Sequence, residues 1–142
     1  MSFWLIFLII VAFAAYVRLA PSDPARWHRP AAIAGTESKQ LKGGYIWRKV
    51  VDGDGKAALA SLDAAATAAP RTMTLAGSVE DGQITYVSRT AAWGFPDYTT
   101  ATLQTAEDGQ TYLEVYGRLR FGRSDLGVNA KRIKGWVADA HL

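Results

Sequence analysis

Four runs rich in Thr, Val, Ile, Leu and Tyr follow one another in the second half of this chain: Arg71 to Val79, Gln83 to Thr90, Asp97 to Thr105 and Thr111 to Arg120. Two of the gaps between them hold an Asp-Gly pair, Asp81-Gly82 and Asp108-Gly109. The first residue of such a pair tolerates positive φ and the glycine prefers it, so each pair signals a tight hairpin. The pattern predicts an antiparallel meander. The remaining gap, Ala91 to Pro96, is a wider connection that carries Trp93, Gly94 and Phe95.

Upstream, Tyr45 to Val51 alternates as a first strand, and Asp52-Gly53-Asp54-Gly55 turns the chain into a helix from about Lys56 to Ala69. Leu59, Leu62, Ala65 and Ala66 form its buried stripe, and Pro70 stops it. The turn is neither a calcium loop nor a phosphate loop. Lys56 and Ala57 stand where calcium would need more oxygen ligands and a glycine, and a phosphate loop would need Lys followed by Ser or Thr.

The stretch from Arg118 to Trp136 reads as a strand end, a corner at Phe121-Gly122-Arg123 and a closing helix. Ser124 or Asp125 is placed to cap that helix, since a short side-chain oxygen accepts from the free N–H groups of the first turn. Leu126, Asn129, Ile133, Val137 and Ala140 fall on one helical stripe, which sets Asn129 among residues that face the sheet. Asp125, Asn129, Arg132 and Trp136 form an overlapping stripe. Buried polar groups must be hydrogen-bonded, so a network of Arg118, Arg120, Ser124, Asp125, Asn129 and Arg132 is expected to tie the last strand to the last helix. The expected domain is α+β, with a largely antiparallel sheet of about five strands and two helices in the order β-α-β-β-β-β-α over residues 44–142.

Residues Phe3 to Val17 are apolar and uncharged, and Leu19 and Ala20 extend the run past Arg18. A crossing helix needs roughly 20 apolar residues, so residues 1–20 are expected to form a transmembrane anchor in a lipid bilayer, contacting it through residues 3–20. The competing reading, a cleaved signal peptide, lacks a basic start and a small-residue cleavage site. Residues 21–43, with Pro21, Pro24 and Pro30, read as a juxtamembrane linker and loop. Arg18, Arg26 and Arg29 follow the apolar segment, which by the charge rule favours a cytoplasmic domain.

The runs LAPSDPARWH, RTAAWGFPDYTT and RFGRSDLGVNAKR resemble the domain-of-unknown-function 1499 family, over most of the chain from Leu19 to Trp136. The Phe95-Pro96-Asp97-Tyr98 element also matches. Some members resemble exported lipoproteins, which implies a periplasmic domain at the bacterial inner membrane, against the charge rule. This chain has no Cys to carry a lipid.

A net charge of +3 without a dense basic block gives no nucleic-acid footprint. No nucleophile elbow, metal-ligand set or cofactor motif is present, and His28 and His141 lie at opposite ends of the chain. Asp97, Glu114 and Asp125 are explained more simply by ion pairs and capping than by acid-base chemistry. The expectation is a non-catalytic accessory subunit, partnered by integral membrane proteins, with Trp27, Trp93, Phe95 and Asp97 as candidate interface residues. The alternative is a binding module for a lipid or other apolar ligand, held between sheet and helix, and more remotely a hydrolase with a carboxylate-arginine pocket.

Overall fold

The computed structural model describes residues 2–142. The chain forms α1 (Phe3–Leu19), a single turn α2 (Pro24–Trp27), β1 (Lys39–Leu41), β2 (Gly44–Val50), α3 (Lys56–Ala68), β3 (Thr72–Ser78), β4 (Gln83–Arg89), β5 (Pro96–Thr105), β6 (Thr111–Leu119) and α4 (Val128–Asp139). The Asp-Gly turns do close hairpins, with Gly82 at φ 71° and Gly109 at φ 83°. The sheet is antiparallel throughout, in the order β1-β2-β6-β5-β4-β3. It has six strands, where about five were expected, because Lys39–Leu41 adds a short edge strand beside β2.

Alternation assigns the two faces of the sheet different neighbours. Ile84, Tyr86, Ala101, Leu113 and Val115 meet Leu59, Leu62 and Ala66 of α3 and Ile133, Trp136 and Val137 of α4 in the main core. Leu59, Leu62, Leu113 and Ile133 are fully buried, each contributing on the order of 2 kcal/mol. Between sheet and helices, where the alternative reading would hold an apolar ligand, these side chains pack against one another. On the opposite face, Trp27, Val87 and Tyr98 form a second cluster with Leu75.

Residues 21–38 cover that second face. Trp27 stacks on Tyr98, His28 Nδ1 lies 2.9 Å from Thr85 Oγ1, and the Ala31 amide donates to Glu114 at 2.8 Å. Glu114 is in turn paired with Arg48 at 2.7 Å, and Arg48 donates to the Ile33 carbonyl. The three prolines that prevent a long helix leave an extended segment able to lie along the sheet. Both faces being covered, β5 is buried continuously from Pro96 to Thr102.

The expectation of a transmembrane anchor is overturned: among the described residues no helix is long and apolar enough to cross a membrane. α1 has 17 residues, about 26 Å at 1.5 Å per residue, against a hydrocarbon layer of about 30 Å. Its last turn is also committed to the domain, with Val17 and Ala20 buried. Apart from the half-buried Ala14, the rest of the helix is exposed, Trp4 by 69% and Leu8 by 61%.

Candidate functional site

The register brings one set of strand ends together, since Arg89 pairs with Pro96, Asp97 with Leu119 and Gly44 with Arg118. Thr72 of β3 pairs with Ser88, so Arg71 enters at the same end. The connections 90–95 and 120–127 and the foot of α1 all gather here. The polar residues expected to form one network are split by the sheet into two.

On the helix-covered face, Asp125 lies just before α4, whose N-cap is Gly127, and accepts from the Gly127 amide at 3.1 Å and the Asn129 amide at 3.0 Å. The Asn129 side-chain amide donates to Asp125 at 3.0 Å and to Asp97 at 3.3 Å. Arg132 completes the set, donating to Asn129 Oδ1 at 2.9 Å and to Asp97 at 3.2 Å. One amide thus stands between two buried carboxylates, with one guanidinium beside them. Asn129 fits only because residue 117 is glycine: a Cβ there would lie 2.8 Å from Asn129 Oδ1. Burial raises the pKa of Asp97 above its ordinary value, with Arg132 opposing the shift and Asp125 adding to it. Ser124 sits outside the network and accepts from the Leu126 amide at 3.3 Å.

Arg118 and Arg120 belong to the other face, and so the expectation that they join Asn129 is corrected by strand parity. Arg118 donates to Thr100 Oγ1 at 2.8 Å and to the Trp27 carbonyl, with its guanidinium 4.6 Å from the Tyr116 ring centroid. Burial pushes its pKa down to about 10. Arg120 donates to the Pro21 carbonyl at 2.9 Å and to the Tyr98 hydroxyl at 3.1 Å. These two arginines fasten residues 21–27 to the sheet. Trp27 is therefore core, only 7% exposed, and unavailable as an interface anchor; Asp97 is likewise an internal partner of α4.

Trp93 and Phe95 stand at the foot of α1. Phe13 meets Phe95 at 6.2 Å between ring centroids, Phe95 meets Phe121 at 6.1 Å, and Phe121 meets Tyr16 at 6.0 Å. Arg18 donates to the Ala92 carbonyl at 2.7 Å. Gly94, at φ +73°, lets Arg18 lie against the connection, since a Cβ there would come within 3.1 Å of Arg18 Cγ. A small apolar recess of about 300 Å³ opens between Ile9, Ile10, Phe13, Trp93 and Phe95.

Beside it lies a larger groove of about 530 Å³, with Arg18, Arg71 and Arg89 at its rim and Met73, Leu75 and Val87 among its lining. Sequence reasoning missed this groove, because its arginines come from α1, the entry to β3 and the exit of β4. Only the fold makes neighbours of residues 18, 71 and 89. The outward signal in the sequence is modest: Arg-containing ends on strands that border an aromatic connection.

The architecture is that of a small α+β domain, one antiparallel sheet with two helices on one face and an extended segment on the other. The chain belongs to the domain-of-unknown-function 1499 family, described as proteins of unknown function, whose sequence profile matches residues 19–139. No match is found among curated proteins.

Proposed function

We propose that this chain is a non-catalytic accessory protein of a membrane surface, in which α1 enters the acyl layer without crossing it and the α+β domain rides on the polar side. The observation that carries the reading is the outward profile of α1. Phe3, Trp4, Leu8, Ile9 and Phe13 are exposed on different sides of the helix, with no polar stripe. A helix apolar all round needs an apolar surrounding, whereas a protein groove would ask for one apolar face. Toward the domain come Tyr16, Phe95 and Phe121, then Arg18 and Arg120. Apolar, aromatic and cationic layers in that order match the gradient from acyl chains to headgroups.

The absence of catalysis is supported by the engagement of the buried acids. Asp97 and Asp125 are held by Asn129 and Arg132, and Glu114 by Arg48 and the Ala31 amide. A carboxylate held on several sides within the core is poorly placed to move a proton on a substrate. The accessory role follows as a presentation of the domain to membrane-embedded partners at the lipid surface.

Flotation of the full chain with phosphatidylcholine vesicles tests this reading. The parent should rise with the vesicles, and the Trp4→Asp, Leu8→Asp double variant should stay behind while its domain melts as the parent does. A parent that remains below the vesicles, or that forms helix-mediated oligomers indifferent to lipid, would contradict it.

A further inference from the structure

The groove beside α1 has a composition that the insertion of the helix does not explain. Arg18, Arg71 and Arg89 border it, and no Asp or Glu lines it. The ion pairs of the described residues are Arg48–Glu114, Lys56–Glu80 and Arg132–Asp97, and none involves these three arginines. Each is instead fixed by backbone carbonyls. Arg18 bonds Ala92, Arg71 Nε donates to the Arg89 carbonyl at 3.1 Å, and Arg89 Nη1 donates to the Gly94 carbonyl at 2.9 Å and reaches the Val17 carbonyl at 3.4 Å.

A guanidinium has five N–H donors in a planar fork, so each of these retains several after its carbonyl bonds are made. Three like charges held in place around one groove repel one another, and an anion among them would relieve that repulsion. Arg71 adds a second sign, being held at φ 52°, a backbone conformation uncommon for a side chain of its size. That conformation starts β3 while its Nε reaches across to the end of β4. The lining between the arginines is largely apolar: Met73, 74% exposed, stands beside its cross-strand partner Val87, with Leu75 further along β3.

We infer that this groove binds an anionic amphiphile, its phosphate held by Arg18, Arg71 and Arg89 and its first methylenes lying on Met73, Leu75 and Val87. Guanidinium forks suit phosphate oxygens, and the apolar lining suits the start of a hydrocarbon chain. The groove adjoins the foot of α1, so under the membrane reading it would sit at headgroup depth. The inference deepens that reading by naming the lipid charge, but the chemistry of the groove can be measured without it.

The test uses the full chain and two arms. In the first, flotation on phosphatidylcholine vesicles is compared with flotation on vesicles that also contain phosphatidylglycerol. The parent should prefer the anionic vesicles, and Arg18→Gln and Arg71→Gln should each reduce that preference about fivefold, with Arg71→Gln leaving flotation on neutral vesicles unchanged. Lys131→Gln, an equal loss of charge on the outer side of α4, should reduce it far less. In a parent that floats, no preference for the anionic vesicles, or an equal loss in all three variants, overturns the inference.

In the second arm, hexyl phosphate and inorganic phosphate are titrated into the chain and followed by the NMR signal of the Met73 methyl group. Hexyl phosphate should saturate the site and inorganic phosphate should bind more weakly. Equal binding of the two, or no binding of either, removes the amphiphile site. Failure to float on any vesicle with retained hexyl phosphate binding sinks the membrane reading and leaves the groove standing.

Discussion

The indole of Trp27 lies flat on the ring of Tyr98, their centroids 3.9 Å apart and their planes 11° from parallel. Through this contact a segment without regular structure becomes the second layer of the domain. Arg118 reinforces it by donating to the Trp27 carbonyl, and Thr100 Oγ1 donates to the same oxygen at 3.2 Å. The consequence is functional as well as structural, since residues 21–27 link the foot of α1 to the sheet and fix where the helix leaves the domain.

Trp27→Ala should therefore cost about 3 kcal/mol, the usual scale for removing a buried large aromatic. The loss should appear in denaturant unfolding. Hydrogen exchange should accelerate first at residues 21–31, ahead of α3 and α4. Uniform acceleration across the domain would show that the segment and the main core are one cooperative unit.

Asn129→Ala removes the amide that separates Asp97 from Asp125 and leaves Arg132 with one partner fewer. A loss of about 2–4 kcal/mol is expected, because buried acceptors lose their donor and two carboxylates face each other without it. Thermal unfolding measures it. A variant as stable as the parent would mean that the network does not hold α4 to the sheet.

Asp97 supplies a pH signature. Its folded pKa lies above the ordinary value of 3.8, chiefly through burial. A carboxyl raised in this way stabilises the fold while it is protonated, and that contribution is lost as pH rises through the folded pKa. Asp97→Asn keeps the shape and cannot ionise. The stability of the variant relative to the parent should therefore increase from just above pH 3.8 up to the raised pKa and then level off. Paired melting curves across the acid range read this directly, and a constant difference would show that Asp97 titrates as a free side chain.

Much of the meander could be read from the chain, because hairpin glycines and alternating strands are local signals. Gln83–Arg89 and Thr111–Leu119 end within one residue of the expected ranges. The burial of Asn129 was legible for the same reason, being set by helical spacing. Asp125 does accept from the first turn of α4, but the cap itself is Gly127 and not the expected Ser124 or Asp125. What could not be read was which face of the sheet each side chain would meet. Arg118 and Asn129 are close in sequence, yet strand parity puts the arginine under residues 21–27 and leaves the amide with α4.

Trp27 was misread for a related reason. A proline-broken segment carries no periodicity, so nothing in it announces a buried layer. The apolar run at the N-terminus gave its helix correctly but not its reach, because the final turn, including Val17, packs into the domain. The groove was invisible because its three arginines are separated by 53 and 18 positions in the numbering, and only pairing of β3 with β4 and docking of α1 bring them together.

The central claim, that α1 enters a lipid layer and the domain stays outside it, is tested most directly by the environment of two spin labels on the full chain mixed with phosphatidylcholine vesicles. A label at Ile9 should collide readily with oxygen and be shielded from a water-soluble nickel chelate, while a label at Lys131 should show the reverse. An Ile9 label as open to the chelate as the one at Lys131 would contradict the claim.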